Sequence, residues 1–109
     1  MLEGLWTAEF RSSSGLLGFG TVIFDSGRVM GGHGGYYYKG TYAIDGEIVT
    51  GKLRVQKYNP GYVSVFGPLD TFELQASGSA NEALMVLTGF MVERPEMRVS
   101  IICTKREEL

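Results

Sequence analysis

One cysteine, one histidine, one tryptophan and three prolines are all that the 109 residues hold of these types. Cys103 alone cannot form an internal disulfide, and one thiol with one imidazole some seventy positions away makes no metal-ligand cluster. Any nucleophilic triad would have to use His33, because no other histidine exists. No apolar run approaches the roughly 18 residues that a membrane-spanning helix requires. Ten Lys and Arg stand against twelve Asp and Glu, a net charge of −2, so the basic surface that recruits nucleic acid or an anionic membrane is missing. The opening MLEGLWTAEF lacks a basic stretch followed by an apolar one, so no signal peptide is expected. Together with the lone thiol this places the chain in the cytoplasm as an expectation. A 3.6-residue period is absent as well: no segment reads as a helix longer than a turn or two.

What the chain does have is glycine, 16 residues, and a normal apolar content of 44% with 12% aromatics. That balance supports one folded domain over residues 1–109. The glycines are dispersed between apolar runs, as turns, bulges and strand bends require. Alternation predicts strands over 4–12, 18–25, 28–32, 36–44, 47–58, 69–76, 83–93 and 97–106. Asp45-Gly46 is the strongest hairpin-turn signal, "DSG" marks another turn, and "SGSAN" and "RPE" read as turns too. The stretch 59–68, "NPGYVSVFGP", is the longest irregular segment. Consecutive strands joined by short turns make an antiparallel meander, and closing eight of them removes both exposed edges. The expected fold is all-β: an eight-stranded antiparallel up-and-down β-barrel, with a two-sheet sandwich as the competing architecture.

The stretch "GEIVTGKL", residues 46–53, imitates a phosphate-binding loop. The motif needs Ser or Thr after its lysine and a helix beyond it, whereas this chain has Leu53 and then the strand pattern of Leu53-Arg54-Val55-Gln56-Lys57. Glu47 would also face the phosphates. We read it as a strand with Leu53 and Val55 buried and Lys52 and Arg54 exposed, and expect no cofactor.

The residues able to line a barrel interior are Trp6 and Phe10 on the first strand, Tyr36, Tyr38 and Tyr42 on the fourth, Leu53 and Val55, and Phe72. An eight-stranded barrel holds either its own side chains or one small ligand. These aromatics therefore either pack against one another or wall a cavity. His33, in "GGHGG", reads as a solvated turn residue, and Cys103, on the face of Val99 and Ile101, as a small buried hydrophobe. Strand 84–92, "LMVLTGFMV", is apolar on both faces. With Val86 and Phe90 taken as inward, Met85, Leu87 and Met91 lie outside, and a second copy of the chain is the simplest cover for them.

Gly4-Leu5-Trp6 resembles the G-x-W start of lipocalins and other calycins, in which the Trp closes one barrel end beneath a basic residue; Lys105 and Arg106 are the candidates here. "GLWTAEF", "GFGTVIFDSGRVMGG", "YYYKGTY", "YNPG" and "SVFG" in that order are similar to the GrlR-like family of bacterial negative regulators, over roughly residues 3 to 104. The resemblance implies a lipocalin-like barrel, a homodimer and a cavity for a small apolar molecule. It also implies a protein partner, a transcriptional activator held through an acidic surface motif before the fifth strand, of which Asp45 and Glu47 are present. The expected function is thus a non-enzymatic regulatory or binding module. The alternative is a small barrel-cavity enzyme of the cyclase or decarboxylase type, which would need a buried carboxylate among polar partners.

Overall fold

The computed structural model describes residues 2–15, 17–61 and 69–109. Eight strands follow one another: β1 (Gly4–Ser12), β2 (Leu17–Asp25), β3 (Arg28–His33), β4 (Tyr36–Asp45), β5 (Ile48–Lys57), β6 (Thr71–Ala80), β7 (Leu84–Met91) and β8 (Arg98–Glu107). Each pairs antiparallel with the next, and β8 pairs back onto β1, so the sheet is a closed barrel and not a sandwich. Closure leaves no strand edge unpaired. No helix is present among the described residues, and so none long and apolar enough to cross a membrane.

Alternation sorts the side chains. Trp6, Ala8 and Phe10 point inward from β1, Val22 and Phe24 from β2, Tyr36 and Tyr38 from β4, and Val49 and Val55 from β5. Register carries the inward face from strand to strand: Val22 lies opposite Gly31, Gly31 opposite Tyr38, Tyr38 opposite Val55, and Val55 opposite Phe72. The motif look-alike at 46–53 is the turn into β5 and its first half, as the alternation requires. Lys52 and Arg54 are exposed; Leu53, half-buried, packs against the core. The predicted irregular stretch 59–68 falls mostly outside the described residues, apart from Asn59, Pro60 and Gly61.

One predicted turn is strand instead. "SGSAN" does not end the sixth strand at Ala76; β6 runs on to Ala80, and the turn is Asn81 to Ala83. Gly78 lies opposite both Val49 and Leu87, in ladders on either side. A Cβ there would strike the Val86 carbonyl oxygen, so this glycine is a point of close backbone approach inside a strand. Small residues mark a bend here as readily as a turn.

Gly31 shows the same constraint on the opposite wall. A Cβ on it would collide with the Thr21 carbonyl oxygen and stand 3.0 Å from the Tyr38 ring. Gly31→Ala is expected to lower stability by about 1–3 kcal/mol, the usual range for forcing an extra methyl into a packed core. Urea titration with an unchanged slope checks this, and a loss of under half a kcal/mol, about the scatter of a neutral surface change, would remove Gly31 from the packing argument.

Candidate functional site

The interior is nearly full. Its larger apolar cavity is about 40 Å³ and touches Phe10, Tyr38, Tyr42, Leu53, Leu87 and Cys103. A smaller one of about 10 Å³, between His33, Phe72, Val55 and Leu74, shares the walls Phe10, Tyr38 and Leu53. Ligand pockets generally run to about 300–1,000 Å³, whereas one water needs about 10–15 Å³. In this conformation the barrel has room for water-sized guests only.

Six of the eight residues expected at a cavity do line one of these two spaces: Phe10, Tyr38, Tyr42, Leu53, Val55 and Phe72. Trp6 and Tyr36 do not. Trp6 is fully buried below the larger cavity, edge-on to Phe24 at 5.8 Å between ring centroids, and its indole N–H donates to the Leu2 carbonyl at 2.9 Å. The segment before β1 thus folds over the indole, a polar tip satisfied inside an apolar site. Lys105 is Trp6's register partner across the β1–β8 seam, and its ammonium reaches Glu108 at 2.8 Å. The expected cation is therefore on the neighbouring strand. Tyr36 stacks against His33 at the other end, with the Lys57 ammonium 5.7 Å from its ring centre and its hydroxyl buried without a hydrogen-bond partner among the described residues.

His33 is not a solvated turn residue. It ends β3, half-buried on the inward face, with Phe10, Tyr36 and Tyr38 around it at centroid distances of 5.1, 5.9 and 5.6 Å. The Tyr38 hydroxyl lies 3.3 Å from its Nδ1, donating or accepting according to the tautomer. The glycines around it suggested a loop; the strand parity that turns His33 inward depends on the position of the hairpin turn at Gly34-Gly35. Burial pushes the imidazole below its ordinary 6.5, raises the Tyr38 phenol, and lifts the Cys103 thiol to about 12. A thiol so protonated is no nucleophile, which fits the small-hydrophobe reading of Cys103. The inward side chains among the described residues include no carboxylate, and no three His, Cys, Asp or Glu side chains among them gather to hold a metal.

Strand β7 needs a correction. Met85, Leu87 and Met91, expected at a dimer interface, are core residues, with Met85 and Met91 fully buried. Leu84 and Val86 face outward, and Val86 is half exposed. Periodicity could not choose between two apolar faces. Closure does, because Leu87 lies opposite Gly78 and Ile101, both on the inner side.

Outside, the most developed concavity lies at the end where Leu2 enters the barrel. A groove of about 260 Å³ has Leu2, Ile44, Val49 and Ala80 for an apolar floor and Asn81 and Glu82 on its rim. The exposed Asp45 and Glu47 flank Gly46, which also lines it. A second hollow of about 140 Å³ shares Ala80 and Asn81 with the groove and continues over Glu47 to Leu84 and Val86. Asn81 shapes the shoulder between them: its side-chain oxygen accepts from the backbone N–H groups of Ala83 and Leu84, each at 2.9 Å. None of Asp45, Glu47 and Glu82 is ion-paired with another described residue. Asp45 and Glu47 were visible in the sequence. Glu82, Leu2 and Ile44 were not, since only ring closure brings their three segments to one end.

No family model matches the sequence, and no curated protein matches it. The chain is similar to a solved structure of a redesigned β-barrel, with a TM-score of 0.67 at 12% identity, covering 97% of this chain and 92% of that one. At that identity the likeness establishes the barrel fold and nothing about its use.

Two outcomes follow from the site. Because the folded state holds His33 below 6.5, the unfolded chain binds its proton first as the pH drops. Stability from this residue is complete above 6.5 and declines as the pH falls through 6.5 toward the folded value. Thermal melts of wild type and His33→Gln between pH 5 and 8, the usual range of His titration, should diverge in slope only on the acid side; parallel curves would contradict the burial. On β7, Leu87→Glu should unfold the domain while Val86→Glu stays folded, which near-ultraviolet circular dichroism distinguishes.

Proposed function

We propose that this protein is a non-enzymatic binding module whose working surface is the outside of the barrel, and that the acidic end groove engages a protein partner. The observation that carries this reading is the pairing of an apolar groove of about 260 Å³ with three unpaired carboxylates, Asp45, Glu47 and Glu82, at one barrel end. Such a surface suits a segment that presents an apolar side chain between basic ones: the apolar group enters the groove and the cations meet the rim. The resemblance to GrlR-like negative regulators supplies a candidate class for the partner, a transcriptional activator kept from its target while bound. The nearly filled interior supports an external site over a ligand-holding one, and its lack of an inward carboxylate among the described residues favours binding over cyclase or decarboxylase chemistry.

A fluorescein-labelled peptide alternating Arg and Leu is the probe. It should bind wild type in low salt and weaken as salt screens the rim. The triple substitution Asp45→Lys, Glu47→Lys, Glu82→Lys should lower its affinity at least about tenfold, a loss of about 1.4 kcal/mol. Equal affinity for the triple variant would refute the groove as the binding site.

A further inference from the structure

A second surface, away from the end groove, is built to meet itself. On the outer wall formed by β7, β8, β1 and β2, two adjacent register rows cross the four strands. One reads Val86, Ile102, Glu9, Phe19; the other reads Thr88, Ser100, Arg11, Leu17. Phe19 is 65% exposed and Leu17 47%, and Val86 and Ile102 are also exposed. Glu9 and Arg11 stand two residues apart on the same face, and neither is ion-paired with another described residue.

We infer that this wall is the contact of a homodimer, with a second copy of the chain laid across it by a two-fold axis that runs between the two rows. Such an axis reverses strand direction and sets each row upon the other row of the partner copy. Phe19 then meets Leu17, and Glu9 meets Arg11, each twice. The large side chains Ile102 and Val86 fall on the small Ser100 and Thr88, so that projections meet recesses. Shape, polarity and charge all agree under one operation. The rotation that would set each row on itself places Glu9 on Glu9 or Arg11 on Arg11 when centred on β1, and so opposes like charges. A membrane surface would take the apolar residues but leave Glu9 to be desolvated without a partner. The dimer contact thus lies on β8, β1 and β2 with the outward edge of β7, and it leaves the acidic groove free.

Light scattering on the purified chain, with circular dichroism to confirm folding, provides the test. Wild type should run at twice its 12.0 kDa chain mass. Phe19→Glu should give a folded monomer that still binds the Arg-Leu peptide, which separates this contact from the groove. Glu9→Arg alone and Arg11→Glu alone should each weaken dimerisation at least about tenfold. The double variant Glu9→Arg, Arg11→Glu should restore it, because each copy then presents the exchanged pair. A wild type that remains monomeric at submillimolar concentration, a dimer that survives Phe19→Glu, or a double variant no better than the singles would overturn the inference.

Discussion

The constraint on which the rest of the structure depends is the seam between β1 and β8. Once Trp6 lies opposite Lys105 and Phe10 opposite Ile101, the sheet is a ring of fixed circumference, and every inward side chain competes for one small volume. Proteins pack such interiors to the density of organic crystals, so one bulky ring must be matched by a missing one nearby. Tyr38 faces Gly31 across one ladder, and Leu87 faces Gly78 across another. What remains is about 40 Å³ beside Tyr38 and about 10 Å³ beside His33. The aromatic residues that suggest a ligand chamber are the material that closes it.

A filled interior moves the question of function outward. The polar groups left inside are few: His33 among three rings, the Tyr36 and Tyr38 hydroxyls, and the inward amines at the two ends. Acid–base catalysis draws on carboxylates or histidines held near neutrality within reach of a substrate. Here the imidazole is pushed down by burial, and the thiol is held far above neutrality. The barrel supplies rigidity instead. Turns anchored to a closed sheet hold Asp45, Glu47 and Glu82 around Ile44 and Leu2 at small cost in ordering, which is what a recognition surface needs.

How much of this was legible in the sequence varies by level. Strand number, antiparallel order and the inward set of β1, β4 and β5 all follow from two-residue alternation, which is local. The course of β6 past Ala76 was hidden because Ser77-Gly78-Ser79 carries the composition of a turn, and only pairing on both sides reveals a strand. His33 was misread for a similar reason: its neighbours are glycines, but its parity within β3 points it at Phe10. The faces of β7 were undecidable in principle, since Met85 and Val86 are equally apolar, and the choice is made by the partners across the ring. Glu82 joins Asp45 and Glu47 only in three dimensions.

One signal was present in the sequence and has a physical meaning that ordinary amphipathic patterns lack. In "LGFG" the large residues alternate with glycine, not with polar residues. A strand on a soluble barrel usually buries its bulky side and wets its polar one. Here Gly18 and Gly20 take the inward places, opposite Phe10 and Ala8, where the ring has no room, and that parity forces Leu17 and Phe19 into the open. Exposing both costs hydrophobic free energy that nothing within one chain recovers. Interior crowding on one side of β2 therefore creates the apolar surface on the other. The same closure that excludes a ligand from the barrel makes the barrel's outer wall adhesive.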